Sequence, residues 1–343
     1  MRIGIAGLNG LYWPVAAGNW LAGRPDIQFL AAATLGEDQA LIKDNLGLYP
    51  AEYAAKYGIK LYARAEEMIE AEKLDTVMIV TRHSQHATWV ERLSGLGVNL
   101  YIPKTFVTTP EDADRIVAAG KAHAIKIAVG PSARFLPQMA ALKSALAEDR
   151  IGTPFAVRIC HHHGVIDVFH RHDWYRDPQE GGPELSLGWY GIDLAMHFMQ
   201  DRVTTVYAKY ANYTSPDSPF MDCGRMVLGM QQGGAASFDM YFCNRINYPS
   251  WQVEITGPKG VLSLHRTESS PSKTVVSLED KEGYKVLPLP DKPKSPHWEM
   301  FWVDEFVQGR EPSLTAEYAR EVTLISFAAR ESARTGAAVT VPT

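Results

Sequence analysis

The stretch Met1-Arg-Ile-Gly-Ile-Ala-Gly-Leu-Asn-Gly10 decides the fold. Arg2–Ala6 is a short apolar strand of the buried type, and Gly7–Gly10 is the turn that follows it. Pro14–Ala22 then reads as a helix, with proline in the first turn where its missing N–H costs nothing. Further strands are expected at Ile27–Ala33 and Asp75–Val80, with helical stretches at Tyr53–Tyr57, Ala65–Ala71 and His86–Leu96. Strands alternating with helices at this spacing mean βαβ units and a doubly wound parallel sheet.

Leu100-Tyr-Ile102 is another strand of that sheet, ended by Pro103 and followed at once by Lys104; Thr108-Thr-Pro-Glu-Asp112 opens a helix beyond it. In an open α/β sheet, ligands lie outside the carboxyl ends of the strands. A lysine just past such an end therefore points at the expected site.

The 343 residues suffice for two domains with large cores. A composition of 46% hydrophobic and 21% charged residues is that of a soluble globular protein. The formal net charge of −5 gives no footprint for nucleic acid or an anionic membrane. Cys160, Cys223 and Cys243 are widely spaced with no C-x-x-C, which fits a reducing compartment. No signal peptide precedes the first strand and no apolar run approaches ~18 residues, so a cytoplasmic protein is expected.

The turn after the first strand invites comparison with the dinucleotide fingerprint G-x-G-x-x-G. The corresponding residues are Gly7, Asn9 and Tyr12, with an extra glycine at Gly10. Asn9 is expected to keep the tight turn, because asparagine visits the left-handed backbone region more readily than most residues. Tyr12 departs from the pattern. Thr34 ends the second strand where an acid would bind the ribose 2′-hydroxyl; Glu37 or Asp38 is within a few residues, and NAD and NADP both stay open. Past the Asp75–Val80 strand, Thr81-Arg-His-Ser-Gln-His86 has two readings. Thr81 and Ser84 cap a helix beside surface histidines, or the loop lines a cofactor.

Three blocks in order, Gly7–Gly10, Thr81–His86 and Pro103-Lys104-Thr105, resemble the Gfo/Idh/MocA oxidoreductases. That family shows a glycine turn, a Thr-Pro-x-x-x-His type loop and a Glu-Lys-Pro tripeptide. The resemblance continues through Thr109–Ala113, Gly130-Pro-Ser-Ala-Arg-Phe135 and Phe301-x-x-x-Glu-Phe-x-x-Gly309, and on to Ser326–Ser332 and Gly336. It implies a Rossmann-type nucleotide-binding domain over residues 1–125. It also implies a substrate and oligomerisation domain over 126–343, the last helices packing back on the first. NAD or NADP is the implied cofactor, with contacts from Gly7, Asn9, Gly10, Leu11, Thr34, Thr81, His83, His86, Lys104, Trp174 and Arg176.

After about Phe135 the periodicity changes. Gln138–Glu148 is a helix and Phe155–His163 a strand of alternating character. The runs Val203–Asn212, Arg225–Met230, Ala235–Cys243, Trp251–Thr256, Val261–Leu264 and Lys273–Leu278 read as one large, mainly antiparallel sheet with helices on one face, giving an α+β domain. The resemblance implies a homodimer or homotetramer formed through the open face. Pro288–Pro296 is expected to be an exposed loop. His161, His162, His163, His170 and His172, with Asp167 and Asp173, are the densest polar cluster. On a strand His161 and His163 share a face while His162 points away. A metal site would need a third ligand from elsewhere, and none is assigned; binding of sugar hydroxyls is the reading carried forward for His161 and His163.

Trp174-Tyr-Arg-Asp-Pro178 and Gly181-Gly182 resemble the family's lead-in to an Asp-x-Gly-x-His-x-x-Asp helix. The matching run is Ser186-Leu-Gly-Trp-Tyr190-Gly-Ile-Asp193. Ser186, Tyr190, Asp193 and His197 lie at spacings that put them on one helical face. Dehydrogenation of a carbinol needs a base within hydrogen-bond reach of the hydroxyl and a cation to stabilise developing alkoxide. Lys104 and Tyr190 are expected to share that work, with Ser186, Asp193 and His197 holding a carbohydrate substrate. The function expected is therefore hydride transfer between NAD(P) and a sugar, cyclitol or related polyol. The departures at Asn9, Tyr12, Thr34, Pro103, Thr105 and Ser186 keep two alternatives open. One is a non-redox lyase, hydratase or epimerase on a keto-sugar, and the other a catalytically inactive sugar or nucleotide sensor.

Overall fold

A computed structural model of the chain describes residues 1–164, 173–214, 218–243, 250–267, 270–289 and 298–342. Two compact units form, neither continuous in sequence. One is made of Met1–Pro131, Arg171–Gly181 and Ser295–Thr323, the other of Ser132–His170, Gly182–Lys294 and Leu324–Thr343.

The first unit runs β1 (Arg2–Ala6), α1 (Trp13–Leu21), β2 (Gln28–Ala33), α2 (Gln39–Leu46), α3 (Pro50–Tyr57), β3 (Lys60–Tyr62), α4 (Ala65–Glu72), β4 (Thr76–Ile79), α5 (His86–Ser94), β5 (Asn99–Pro103), α6 (Pro110–His123) and β6 (Ile127–Gly130). The strands pair in parallel in the order β3-β2-β1-β4-β5-β6. This is the doubly wound sheet read from the sequence. Its order reverses between β1 and β4, the place where such sheets bind ligands. β4 and β6 are buried along their whole length, as strands covered on both faces must be. β6 lies beyond residue 125 and completes this sheet, so the unit reaches past the expected boundary and gathers two later segments.

Local chemistry fixes the helix ends. Thr109 Oγ1 accepts from the Asp112 N–H at 3.1 Å, Pro110 occupies the first position, and Lys121 and His123 sit in the last turn of α6. Asp38 caps α2 by accepting from the Ala40 and Leu41 N–H groups. The sequence pattern alone passes over α2 because Ile42 is its one buried residue.

The second unit contains α7 (Pro137–Ala147), β7 (Ala156–His162), α8 (Gly182–Met199), β8 (Val203–Ala211), β9 (Cys223–Met230), β10 (Ala235–Tyr241), β11 (Trp251–Gly257), β12 (Gly260–Thr267), β13 (Ser270–Asp280) and β14 (Gly283–Leu287). After these, α9 (Phe301–Val307) belongs to the first unit, α10 (Ala316–Thr335) starts in the first and finishes in the second, and β15 (Val339–Thr340) ends the chain's regular structure. The nine strands run β14-β13-β12-β11-β7-β10-β9-β8-β15. All neighbours are antiparallel except β7 and β10, which are parallel. α8 is buried along nearly its whole length and packs on β7 and β10, with Gly191 pressed against the Phe238 ring, where a Cβ would collide. No helix among the described residues is long and apolar enough to cross a membrane. Most of the loop expected over Pro288–Pro296 lies outside the described residues.

Candidate active site

In the first unit the turn after β1 is pressed against the end of β4. A Cβ on Gly7 would lie 2.6 Å from the Val80 carbonyl oxygen, and one on Gly10 2.9 Å from the same atom. Gly10 thus supplies the close approach that the fingerprint assigns two positions later, which explains why Tyr12, half exposed and stacked on Trp13 at 4.8 Å, is tolerated. The left-handed residues of the turn are Gly7 (φ 95°) and Leu11 (φ 54°), not Asn9 as expected. Asn9 instead has its side chain pinned: its Oδ1 accepts from Asn45 Nδ2, and it hydrogen-bonds the Glu37 carboxyl. Asn45 in turn accepts from Trp174 Nε1 at 3.2 Å. The Asn9 side chain is thus drawn toward Asn45 on α2.

The loop beyond β4 is interior, which corrects the reading of helix caps beside surface histidines. His83 Nδ1 donates to the Glu180 carbonyl and His86 Nδ1 to the Phe106 carbonyl, both at 2.9 Å. Burial pushes the His83 imidazole down to about 3 and the His86 imidazole down to about 4, so both are neutral near pH 7. Ser84 donates from Oγ to Glu180 Oε1 at 2.7 Å, and Thr81 donates to the Arg82 carbonyl; neither caps α5. The His83 ring meets Trp174 at 5.4 Å and Tyr175 at 5.7 Å. Arg176 is exposed on the same short turn, Asp173–Arg176. Thr34 is half buried and its N–H donates to the Tyr62 carbonyl.

Lys104 follows β5, is 8% exposed, and has its N–H on the Gly130 carbonyl. Burial pushes its ammonium down to about 8, opposed by the charge of Glu299. Glu299 lies on the short turn Trp298–Met300 that leads into α9. Burial raises its carboxyl to about 7, its own backbone N–H and then Lys104 pulling the other way. Phe301 and Trp302 anchor that turn: a Cβ on Gly130 would lie 3.1 Å from the Phe301 ring, and Tyr101 stacks on Trp302 at 4.4 Å. Thr105 is buried, and its Oγ1 has no hydrogen-bond partner among the described residues. Glu180 and Glu299 are the acids that sequence reasoning missed. The signal available for Glu180 was its place directly before Gly181-Gly182. Glu299 is nearly two hundred residues from Lys104, so no spacing rule finds it.

The second unit brings a different set together. His161 stacks on Trp251 at 3.7 Å, and Tyr190 meets both rings edge-on at 5.7 Å. His163 lies 5.2 Å from His161 and stacks on Phe242, while His162 stacks on Tyr241 across the strand from them. Asp193, on the same helix as Tyr190, is held by Ser132 Oγ and by the Arg134 guanidinium. His197 lies in the field of Arg134 and Asp193; burial, with Arg134, pushes it down to about 4. Its carbonyl accepts from Lys143 Nζ at 2.9 Å. Ser186 is buried on α8. Among the described residues the group of metal-capable donors is Asp222, Cys223 and Cys243, within 4.8 Å of one another, not the histidine strand. The Asp222 carboxylate there already accepts from Tyr213 N–H and from Thr214 N–H and Oγ1. His170, His172 and Asp167 lie outside the described residues.

Two family profiles match the chain over about three quarters of its length. Residues 1–130 match the oxidoreductase family with NAD-binding Rossmann fold, and residues 139–263 match the GFO/IDH/MocA C-terminal domain. The chain belongs to the Gfo/Idh/MocA oxidoreductases. This oxidoreductase is 30% identical over 212 residues to the D-apiose dehydrogenase of Paraburkholderia graminis, a match spanning 61% of this chain and 56% of that protein. It is 26% identical to the trans-1,2-dihydrobenzene-1,2-diol dehydrogenase of Bos taurus over 79% of this chain and 75% of the relative. Its fold matches that of an oxidoreductase from Agrobacterium radiobacter, solved in complex with NAD+, L-tartaric acid and magnesium. That comparison has a TM-score of 0.82 at 20% identity, covering 99% of this chain and 98% of the other. The residues present fit a dinucleotide: two glycines bring the turn onto β4 at the sheet's reversal, and one oxygen of Glu37, Oε2, is buried without a hydrogen-bond partner among the described residues.

Proposed function

We propose that this chain is an NAD(P)-dependent oxidoreductase that interconverts a carbinol and a carbonyl on a sugar, cyclitol or related polyol. The observation that carries the reading is Lys104, a lysine buried just past the carboxyl end of β5, an interior strand of the parallel sheet, with its ammonium pushed down to about 8. A cation in that position stabilises a developing alkoxide, and its value near working pH lets it exchange a proton. Tyr190 supplies the phenol of the acid/base pair, its ring held by His161 and Trp251. The nicotinamide, when bound, takes or gives the hydride. The turn Gly7–Leu11, with Thr34, Thr81, His83, His86, Trp174 and Arg176, forms the side of the chain that holds the dinucleotide. The neutral, hydrogen-bonded His83 and His86 keep the Thr81–His86 loop in place and uncharged.

His161, His163, Ser186, Asp193 and His197 serve the substrate. Asp193 does so as a positioning residue, since Arg134 and Ser132 occupy its carboxylate. The relatives named for apiose and dihydrodiol oxidation support a substrate with neighbouring hydroxyls. We place the protein in the cytoplasm and assign it a homodimer or homotetramer formed through the open face of the nine-stranded sheet. A hollow of about 470 Å³ on that face is lined by Arg158, Arg225, Val227, Asp239 and Glu254. Light scattering on the eluting protein reads the oligomer directly. The activity is tested by offering the purified chain saturating NAD and NADP with a panel of aldoses, cyclitols and vicinal diols. A rise in reduced-nicotinamide absorbance with one class is expected, and none with any member overturns the reading.

A further inference from the structure

Asp222 and Cys223 stand at the start of β9, and Cys243 lies just past the end of β10. Cys223 is paired with Tyr241 in the antiparallel ladder, and the Phe242 N–H donates to the Asp222 carbonyl at 2.8 Å, which carries the pairing one step further. Side chains alternate along a strand, so Cys243, two residues past Tyr241, shares the face of Cys223. A carboxylate oxygen of Asp222 and the two sulfurs come within 4.8 Å of one another. The Cys223 thiol faces the Asp222 carboxylate and the Cys243 thiol together.

Asp222 is 1% exposed. Its Oδ1 accepts from the Tyr213 N–H at 2.9 Å, and its Oδ2 from the Thr214 N–H and Oγ1, both at 2.7 Å. All three donors are neutral, and Arg225, two residues along the strand from Cys223, pairs with Asp239 instead. A charge withdrawn from water is paired or holds a metal. The Tyr213 bond uses one lone pair of Oδ1 and leaves the other, and outer hydrogen bonds of this kind are what orient a ligating carboxylate. The two sulfurs are better placed for a shared ion than for a disulfide. Diagonal neighbours across an antiparallel pair have Cα atoms about 7–8 Å apart, beyond the ~4.4–6.8 Å that a disulfide spans. Two bonds of about 2.3 Å to one ion bridge the longer gap.

We propose that Asp222, Cys223 and Cys243 form a site for a thiophilic dication, zinc(II), with water as the fourth ligand. As each sulfur bonds the ion its proton leaves to solvent, so two thiolates and one carboxylate face a charge of +2. Burial, and then the Cys243 and Asp222 groups beside it, push the Cys223 thiol well above its ordinary range. A metal ion at the sulfur reverses that balance and holds the thiolate. Cys243 is half buried, which leaves one side of the site toward solvent for the ion and its water.

The test titrates the full chain, reduced, with cobalt(II) as a spectroscopic stand-in and with zinc(II) against a chromophoric chelator. The wild type is compared with Cys223→Ser, Cys243→Ser, Asp222→Asn and Cys160→Ser. Cys160 is the control, because its sulfur lies 3.2 Å from His162 Nε2 on the histidine strand. One equivalent of cobalt should give a thiolate-to-metal charge-transfer band that zinc displaces. Cys223→Ser and Cys243→Ser should abolish the band, Asp222→Asn should weaken zinc binding by at least about tenfold, and Cys160→Ser should change neither. No band in the wild type, a band that survives both serine variants at 223 and 243, or one lost in Cys160→Ser overturns the site. Should a serine variant fail to fold, alkylation of the wild type read by mass spectrometry decides. Zinc should slow labelling of Cys243 at least about tenfold and leave Cys160 unchanged, and equal Cys243 rates with and without zinc overturn the proposal.

Discussion

Arg134 and Asp193 form an ion pair in the interior of the second unit, with the guanidinium on both carboxylate oxygens and the Ser132 hydroxyl on one of them. The Asp193 side chain is fully buried and that of Arg134 12% exposed. Removing one member strands the other charge, which typically costs about 3–5 kcal/mol. Asp193→Ala should therefore lower the unfolding free energy by that order in a urea titration. Arg134→Ala should cost a similar amount and the double variant much less than the sum. A wild-type midpoint for Asp193→Ala would contradict this account.

Lys104→Met should leave the fold in place, because methionine fills the same volume without a charge to desolvate. Loss of a positioned proton-transfer group costs about 10²- to 10⁴-fold in kcat. The pH profile of kcat/KM in the wild type should bend near 8, the value to which burial lowers the ammonium. Glu299 opposes that lowering, so Glu299→Gln should move the bend to lower pH. A bend that stays in place in Glu299→Gln would show that the carboxyl does not act on Lys104. The same group has a stability consequence. The unfolded chain holds the proton up to about 10.5 and the folded one only to about 8, so folding should strengthen as pH rises through that window. Lys104→Met should abolish the rise.

The buried imidazoles act at the other end of the pH scale. His83, His86 and His197 titrate at about 3, 4 and 4 in the folded protein against 6.5 when free. The unfolded state takes up protons first on acidification. The stability they allow is complete above 6.5 and is lost as pH falls through the folded values. Thermal melts should therefore drop steadily from pH 7 to pH 4, and His86→Asn should make the decline shallower. An unchanged slope in that variant would mean His86 is not held neutral.

Tyr190→Phe keeps the ring that His161 and Trp251 meet edge-on and removes only the hydroxyl. If the phenol carries a proton in the reaction, kcat should fall by about 10²-fold or more while the melting temperature stays within a degree or two of wild type. A variant that melts early but turns over normally would make Tyr190 a packing residue instead.

The parallel sheet and its reversal were legible because β1, β4, β5 and β6 are short apolar runs between helices, and burial on both faces writes that pattern directly into the chain. Lys104 was legible for the same reason, as the first residue past a strand end. α2 was not, since a helix with one buried residue leaves almost no periodic trace. Nor were the roles of Thr81 and Ser84, whose capping propensity is real but lost to Glu180 and to the Arg82 carbonyl.

By itself, then, the sequence determined the order of elements, the glycine turn, the lysine and the motif helix, because each is set by neighbours within a few residues. The tertiary structure decided which acid stands beside which base. Glu299 reaches Lys104, Glu180 reaches Ser84, and Arg134 takes Asp193, all between residues dozens to nearly two hundred positions apart. Charges find partners according to what lies close after folding, since desolvation penalises any that do not, and separation along the chain carries no record of that.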